Sequence, residues 1–286
     1  MEKFGISTAL LTPFAEDGTI NWSVLGKHAH RVLTDGADSI TLFGTTGEGA
    51  SIGRAERSLG IEALINAGCP RDSIILGVCA NSLDDAVDQI HAGFEQGIRD
   101  YLLLPPFYFK GCTDDGLFQW HKQLFARTNS QARFILYNIP QVSGVPVSAE
   151  LVARLCASAP PRIRAIKDSS GDWGNAVELL EKNSTQVLIG DERLLHRAVA
   201  MGAGGAISGM ANLYPERMQQ IVKTAREDVA LSSEVARIVS VPVVAALKAV
   251  LAEKNGEAAW ERVRPPLTTL DSNARAMVVD ASEEVV

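Results

Sequence analysis

Cysteine is scarce in this 286-residue chain, and the few that occur are far apart. Four are present, with no C-x-x-C pair and no paired histidine, at Cys69, Cys79, Cys112 and Cys156. This spacing argues against a zinc site and against a disulfide framework, and it suits a reducing compartment. We therefore expect a cytoplasmic protein without a metal site.

Long apolar runs and basic clusters are also missing. No stretch approaches the roughly 18 apolar residues that a membrane span needs, and the apolar N-terminal run is broken by Ser7 and Thr8 before it reaches Pro13. We interpret that run as a first strand and not as a signal peptide. The formal net charge is −7, and lysine and arginine form no cluster. We expect neither a nucleic acid nor a membrane as partner.

The sequence does contain a regular alternation of short β-type runs and amphipathic helical segments. The strand candidates are residues 5–11, 39–44, 73–79, 100–105, 133–139, 163–168, 186–190 and 205–209. The helical segments lie near residues 22–35, 53–67, 83–96, 115–128, 148–157, 173–183, 193–202 and 215–227. Eight such units predict an α/β protein with a closed (β/α)8 TIM barrel, which typically needs about 250 residues. A doubly wound open sheet, the alternative, would normally show fewer units.

Further helical patterns follow the last unit. They cover roughly residues 231–254 and 257–280, and Pro242, Pro265 and Pro266 interrupt them. Proline removes a backbone donor and breaks or kinks a helix. We predict a barrel over residues 1–228 and a helical extension over residues 229–286 that packs on the barrel or on a neighbouring subunit, as one structural unit. The tail, residues 281–286, is expected to fray.

A lysine stands where the sixth predicted strand ends. Counting back from Lys167 in steps of two places Ala165 and Ile163 on its face. A lysine on such a face either extends to solvent or is desolvated. Desolvation lowers the pKa of a lysine and supplies the free amine that attacks a carbonyl.

Other reactive groups follow the remaining predicted strands, at the end of a barrel where active sites lie. The glycines of residues 44–49 would let backbone N–H groups converge on a carboxylate together with the Thr45 and Thr46 hydroxyls, although a tight turn is the simpler alternative. Tyr137 ends the neighbouring strand and is the natural proton shuttle for an imine. The five histidines lie on helical segments and are interpreted as ordinary helix or surface residues. Trp120, Trp173 and Trp260 lie on or next to helices, where packing is expected.

The glycine-rich residues 202–205 allow two interpretations. They fail the G-x-G-x-x-G spacing of a dinucleotide site. They could form a phosphate nest, but a helix C-cap that leads into the eighth strand is favoured.

Together these motifs resemble the dihydrodipicolinate synthase / N-acetylneuraminate lyase family of pyruvate-dependent class I aldolases, over residues 5–280. The matching pieces are residues 44–48 (GTTGE), 106–108 (PFY), 137–140 (YNIP), 167–171 (KDSSG) and 190–191 (GD). They occur in the order and at the spacing typical of that family.

The resemblance implies a role for each site residue. Lys167 forms a Schiff base with a 2-oxo acid, usually pyruvate, so neither cofactor nor metal is needed. Thr45 and Thr46 hold its carboxylate with backbone amides such as that of Gly47, and Ile207 and Ser169 line the substrate. Tyr137 relays protons with Thr45 and with Tyr108. Because the family's equivalent of Tyr108 crosses a dimer interface, the resemblance also implies a homodimer or homotetramer.

Two departures bear on the aldehyde partner. In the synthases an arginine follows the Asn-x-Pro motif and binds the aldehyde's carboxylate, whereas this chain has Val142 there. Phe107 also replaces the first tyrosine of the synthases' Tyr-Tyr pair. Asp191 and Glu192 instead resemble the sugar-acid lyases, in which acidic residues after the seventh strand bind substrate hydroxyls. The Asp-Ser pair after Lys167 is that of the synthases, so the chain is a mixed case.

We hypothesise a lyase that cleaves a 2-keto-3-deoxy sugar acid reversibly to pyruvate and an aldehyde. The alternatives with the same imine are 4-hydroxy-tetrahydrodipicolinate synthase, which joins pyruvate to aspartate semialdehyde in lysine biosynthesis, and a 2-keto-3-deoxy acid dehydratase. From other classes, a non-catalytic barrel that binds a 2-oxo acid and a phosphate-binding barrel remain.

Overall fold

The computed structural model describes residues 3–279, and within them eight parallel strands close into a barrel in chain order, with the last strand paired to the first. The strands are β1 Gly5–Ala9, β2 Ser39–Leu42, β3 Ile74–Val78, β4 Asp100–Leu103, β5 Arg133–Asn138, β6 Ile163–Asp168, β7 Gln186–Ile189 and β8 Gly205–Ser208. The predicted TIM barrel is confirmed, and each strand begins and ends within two residues of its predicted bounds.

Helices surround the barrel and follow its strands. They are α1 Trp22–Thr34, α2 Arg54–Asn66, α3 Leu83–Glu95, α4 Asp114–Arg127, α5 Pro140–Ser143, α6 Ala149–Ser158, α7 Trp173–Lys182, α8 Glu192–Ala200, α9 Pro215–Thr224, α10 Val229–Ile238, α11 Val243–Asn255 and α12 Ser272–Val279. Several begin at a side chain that accepts a backbone N–H bond, as Ser82 does for α3 and Ser148 for α6. The four-residue α5 was not predicted.

The C-terminal extension differs from the prediction in its second half. The first helical pattern breaks before Pro242 into α10 and α11, as the proline implied. The second, predicted over residues 257–280, contains only the 3₁₀ turn Ala258–Trp260 and α12 among the described residues, because Pro265 and Pro266 prevent a continuous helix. The predicted frayed tail lies outside the described residues. No single described helix is long and apolar enough to cross a membrane; α10 and α11 would meet that test only as a pair, bent by 118°.

The extension shares the core of the barrel. Side chains of α10 and α11, such as Leu231 and Leu247, belong to the same hydrophobic cluster as the helix-facing residues of the strands, such as Leu42 and Ile166. A second cluster fills the barrel interior and includes Ile135. The division into a barrel and an extension remains a prediction.

The predicted inward orientation of Ile163 is wrong. Ala165 does lie in the interior cluster, but Ile163 packs against the outer one. The register between β5 and β6 shifts at Phe134 and Ile135, so the alternation of faces is interrupted at Arg164. Of the two residues predicted to share the face of Lys167, only Ala165 points inward.

Charged side chains fill the interior at the end of the barrel where the strands begin. Asp100 is 2% exposed and accepts two hydrogen bonds from Arg133, at 2.8 and 2.7 Å, and one from Arg164 at 2.6 Å. Both arginines are partly exposed, so the solvent screens part of the attraction. The ion pairs close this end, and the opposite end is left for the site.

Removal of the Asp100 charge leaves two arginines without their shared partner. We expect Asp100→Asn to lower the free energy of unfolding by about 2 kcal/mol, below the range for fully buried pairs because the arginines are partly solvated. Urea unfolding measures this change. In the control Asp84→Asn, the aspartate is 77% exposed beside Arg127, and the loss should stay below about 0.5 kcal/mol. Equal losses in the two variants would contradict this account.

Candidate active site

Lys167 and Tyr137 face each other at the ends of β6 and β5. The two residues are register partners, which puts their side chains on the same inward face. Lys167 is only 5% exposed, and its Nζ lies 3.2 Å from Tyr137 Oη and 4.4 Å from the centre of the ring. The lysine is therefore buried and does not extend to bulk solvent. An amine and a phenol at this distance can exchange a proton directly.

Both side chains line a cavity of about 740 Å³ at the end of the barrel where the strands finish. The predicted site residues that line it are Thr45, Thr46, Tyr137, Lys167, Ser169, Asp191, Glu192 and Ile207. The fold thus brings eight of the ten together. Gly47 and Tyr108 are not among the lining residues.

The loop after β2, residues 44–49, presents donors to the cavity. Two of its carbonyl acceptors are bound by side chains: Thr12 donates to the Gly47 carbonyl at 2.8 Å, and the buried Arg57 donates to the Gly49 carbonyl at 2.6 Å. Across residues 3–279, the backbone N–H groups of Thr45, Thr46 and Gly47 and the two threonine hydroxyls have no hydrogen-bond partner. A loop with free donors can bind an anion. Gly47 would contribute through its backbone.

Glycine is required at two positions where the start of the loop packs against its neighbours, Gly49 in the loop and Gly77 on β3. A Cβ at Gly49 would lie 2.0 Å from the Phe43 carbonyl oxygen, and one at Gly77 of β3 would lie 2.3 Å from the same atom. Real Cβ atoms do not approach that closely. These glycines therefore allow the turn at Phe43 to fold back against β3.

The acidic pair after β7 is already hydrogen-bonded in the structure. Asp191 caps α8 and accepts two bonds from Arg193, at 2.9 and 2.7 Å. Glu192 accepts from the Ser208 hydroxyl at 2.5 Å. Burial raises the pKa of Glu192, and the bond from Ser208 opposes that rise. Both residues are among those that line the cavity.

Tyr108 lies apart from the other predicted catalytic residues. Its side chain is 72% exposed and contacts the ring of Phe109 edge to face at 5.4 Å. Its backbone N–H and that of Phe107 both donate to Asn81 Oδ1. Within a single chain, Tyr108 does not join Tyr137, so its predicted role in proton transfer needs a second subunit.

A buried polar pair, Asn138 and Asp168, lies next to Tyr137 and Lys167 and was not predicted from the sequence. Asn138 donates to Asp168 at 2.9 Å and accepts from the Val147 N–H at 3.0 Å, and all of these groups are buried. The pair ties the ends of β5 and β6 together one residue after Tyr137 and Lys167. Their matching positions at two adjacent strand ends were the signal that could have revealed them. Gln141 and Arg193 also line the cavity without having been predicted.

Two histidines on the helices are buried and not surface residues. His28 lies 3.0 Å from Asn212 Oδ1, and burial lowers its pKa to about 3. His121 is likewise buried, with its pKa lowered to about 4. Both are neutral at pH 7, and neither lines the cavity. The described residues contain no group of three His, Cys, Asp or Glu able to hold a metal.

Residues 202–205 form a helix C-cap, which was the favoured interpretation of the sequence. The N–H groups of Gly202 and Ala203 donate to the Val199 and Ala198 carbonyls of the last turn of α8. Because these residues precede β8, they lie at the end of the barrel opposite the cavity.

Comparison with known proteins extends over nearly the whole chain. The sequence pattern of the "Dihydrodipicolinate synthetase family" matches residues 2–284. A crystal structure of dihydrodipicolinate synthase from Agrobacterium tumefaciens is 40% identical and covers 99% of each chain, with a TM-score of 0.96. A 4-hydroxy-tetrahydrodipicolinate synthase of Saccharophagus degradans is 30% identical over 97% of each chain. A DapA-like lyase of Chloroflexus aurantiacus is 34% identical over 75% of this chain and 72% of its own.

The raised pKa of Glu192 predicts how this residue affects stability. The folded state keeps its proton at pH values where the unfolded chain has lost it, so stability falls as the pH rises from the ordinary value of 4.5 towards the raised pKa. We expect Glu192→Gln to remove this part of the pH dependence. Thermal unfolding of both proteins between pH 4 and 8 measures it. Parallel curves for the two proteins would contradict the assignment.

Proposed function

The chain belongs to the dihydrodipicolinate synthetase family, whose members are pyruvate-dependent lyases, and we propose that it cleaves a 2-keto-3-deoxy sugar acid reversibly to pyruvate and an aldehyde. The observation that carries the proposal is the buried Lys167 amine beside the Tyr137 hydroxyl, in a cavity that also holds Asp191 and Glu192.

The reaction begins when the Lys167 amine attacks the C2 carbonyl of the sugar acid. The carbinolamine loses its hydroxyl as water and becomes an imine, and Tyr137 supplies and takes up the protons. No metal or cofactor takes part. Because Lys167 Nζ and Tyr137 Oη are 3.2 Å apart, the phenol can exchange protons with the nitrogen without a movement of either side chain.

Cleavage follows from the imine. The proton of the C4 hydroxyl passes to a base, the C3–C4 bond breaks, and its electron pair moves to the iminium nitrogen as an enamine forms. The aldehyde leaves with the C4 oxygen. Protonation of the enamine at C3 and hydrolysis of the imine then release pyruvate and restore the Lys167 amine. In the condensation direction the same steps run in reverse.

The donor-rich loop would hold the carboxylate at C1. Thr45 and Thr46 offer two hydroxyls and, with Gly47, three backbone N–H groups that are free in the described structure. Hydrogen bonds to a charged acceptor are about twice as strong as neutral ones. Ile207 provides an apolar wall for the pyruvyl methyl group, and Ser169 lies beside the imine carbon chain.

The composition of the cavity mouth favours a polyol substrate over an amino-acid aldehyde. Val142, where the synthases of the resemblance have arginine, lines the mouth and is 58% exposed. The nearby guanidinium of Arg193 is already paired with Asp191. A second carboxylate on the substrate would therefore find no free cationic side chain there. The carboxylate oxygens of Asp191 and Glu192 can instead accept hydrogen bonds from substrate hydroxyl groups.

Two alternatives use the same imine. Relatives named 4-hydroxy-tetrahydrodipicolinate synthase favour condensation with aspartate semialdehyde, and a dehydratase would eliminate water from the imine without breaking a carbon–carbon bond. A binding-only barrel is disfavoured because lysine, tyrosine and both threonines are present together. The phosphate-binding alternative loses its basis, since residues 202–205 cap α8.

We further propose a cytoplasmic homodimer or homotetramer in which barrel and extension act as one unit. Tyr108 and Phe109, which follow β4, are 72% and 74% exposed, an unusual exposure for two neighbouring aromatic rings. A second copy that covers them would bring Tyr108 into contact with protein.

A substrate comparison tests the proposal. Purified protein is assayed for pyruvate release from 2-keto-3-deoxygluconate and 2-keto-3-deoxygalactonate, and for condensation of pyruvate with aspartate semialdehyde. We expect kcat/KM for at least one sugar acid to exceed that for the semialdehyde by on the order of 100-fold, because the carboxylate of the semialdehyde would find no free cationic side chain at Val142 or Arg193. High synthase activity would overturn the assignment of the substrate, and product analysis separates cleavage from dehydration.

Val142→Arg serves as the matched variant in that assay. The new guanidinium should raise kcat/KM with aspartate semialdehyde by roughly tenfold and leave the imine with pyruvate unaffected. Val142→Leu controls for side-chain size and should change neither activity by more than about twofold. A gain in the leucine variant would show that shape and not charge limits the synthase reaction.

A further inference from the structure

A fully buried ion pair lies beneath the proposed carboxylate loop. Glu48, within the loop, accepts a short hydrogen bond from the Nζ of Lys248 on α11, and both side chains are 0% exposed. The two residues are 200 positions apart in the chain. A buried pair gains little stability over apolar residues of similar size, because desolvation offsets the attraction. Stability alone therefore does not account for it.

Further contacts fix both partners. Lys248 also donates to the Arg262 carbonyl, and its Nζ lies 4.3 Å from the centre of the Phe14 ring. The second carboxylate oxygen of Glu48 accepts the Arg264 N–H at 2.8 Å. The Arg264 side chain in turn binds the Ser51 carbonyl at 3.0 Å, just past the loop. Residues of the C-terminal extension thus make the hydrogen bonds that fix Glu48 and the end of the loop.

The backbone at Glu48 needs such support. Its φ is +57°, in the left-handed region, which is unfavourable for a residue with a side chain. Such a conformation persists only where surrounding contacts determine it. Since Glu48 follows Thr45 and Thr46 within one turn, a relaxed Glu48 would change the direction in which their donors point.

Helix α11 also reaches the cavity itself. Leu247, next to Lys248, lines it together with Val244. A Cβ at Gly209 would lie 2.8 Å from Leu247 and 3.6 Å from Thr46, so these three residues are closely packed. One helix therefore touches the cavity wall and anchors the loop.

From this arrangement we propose that the Glu48–Lys248 pair is a positioning element that holds the donors of Thr45 and Thr46 in the conformation that binds the carboxylate of a 2-oxo acid. The extension is then required for binding and not only for stability. The inference rests on the proposed function, which assigns the carboxylate to this loop.

The ionisation of the pair agrees with that role. Burial lowers the pKa of Lys248 to about 8, while Glu48 opposes this change and the charge of Arg264 adds to it. Lys248 therefore remains mostly charged at pH 7.

Three variants test the role: Glu48→Gln, Lys248→Met and the double variant. Lys248→Met leaves Glu48 without its lysine partner, so the melting temperature should fall and the KM for pyruvate should rise on the order of 10- to 100-fold, with a smaller change in kcat. The double variant removes the unpaired charge and should recover melting temperature but not KM. Recovery of both together, or an unchanged KM in all variants, would overturn the inference.

Glu48→Gln keeps the size and an acceptor for the Arg264 N–H, and it remains informative if Lys248→Met does not fold. Its KM for pyruvate should rise by about tenfold. Glu234→Gln is the matched control, because Glu234 is also 0% exposed beside an arginine of the extension, Arg237. That variant should lose stability without a change in KM.

Calorimetric titration with pyruvate distinguishes a failure of the proposed function from a failure of the positioning role. If the unmodified protein does not bind pyruvate, the proposed function fails. If it binds pyruvate and all Glu48 and Lys248 variants bind equally well, only the positioning role fails.

Discussion

The register between β5 and β6 is the constraint on which the site depends. It sets Tyr137 opposite Lys167 and Asn138 opposite Asp168. Side chains alternate between the two faces of a strand, so a slip of one residue would turn Lys167 outward against the helices. The closed barrel excludes that slip because each strand is paired on both sides. A reactive amine is thereby held in a position shielded from solvent, where a carbonyl compound can reach it.

A second arrangement complements the amine. In the loop after β2, the Gly47 and Gly49 carbonyls and the Glu48 side chain are bound by Thr12, Arg57 and Lys248, respectively. The backbone N–H groups of Thr45, Thr46 and Gly47 have no partner within residues 3–279. In the proposed function, the carbonyl and the carboxylate of a 2-oxo acid would be bound by groups from β6 and from the loop after β2, respectively. These groups are far apart in sequence and adjacent only in the closed barrel.

Local patterns were sufficient to predict the barrel, and together with the family resemblance they identified eight of the residues that line the cavity. Alternation of strand and helix periodicity is a local property, and active sites of this fold lie where the strands end, so the sequence alone places Lys167, Tyr137 and Thr45 together. Tertiary detail could not be predicted in the same way. The face of Ile163 depends on a shift in register, and the pairing of Asp191 with Arg193 depends on side-chain conformation. The contact between Glu48 and Lys248 spans most of the chain, and no local pattern predicts it.

Borohydride trapping tests the central claim, the imine at Lys167, most directly. The protein is reduced in the presence of pyruvate, its intact mass is measured, and the modified peptide is mapped, with Lys167→Arg as the control that keeps the charge but has no attacking amine. The account predicts one pyruvyl adduct per chain, on Lys167, and none in the control. Folded wild-type protein without an adduct, or with the adduct on another lysine, would contradict it.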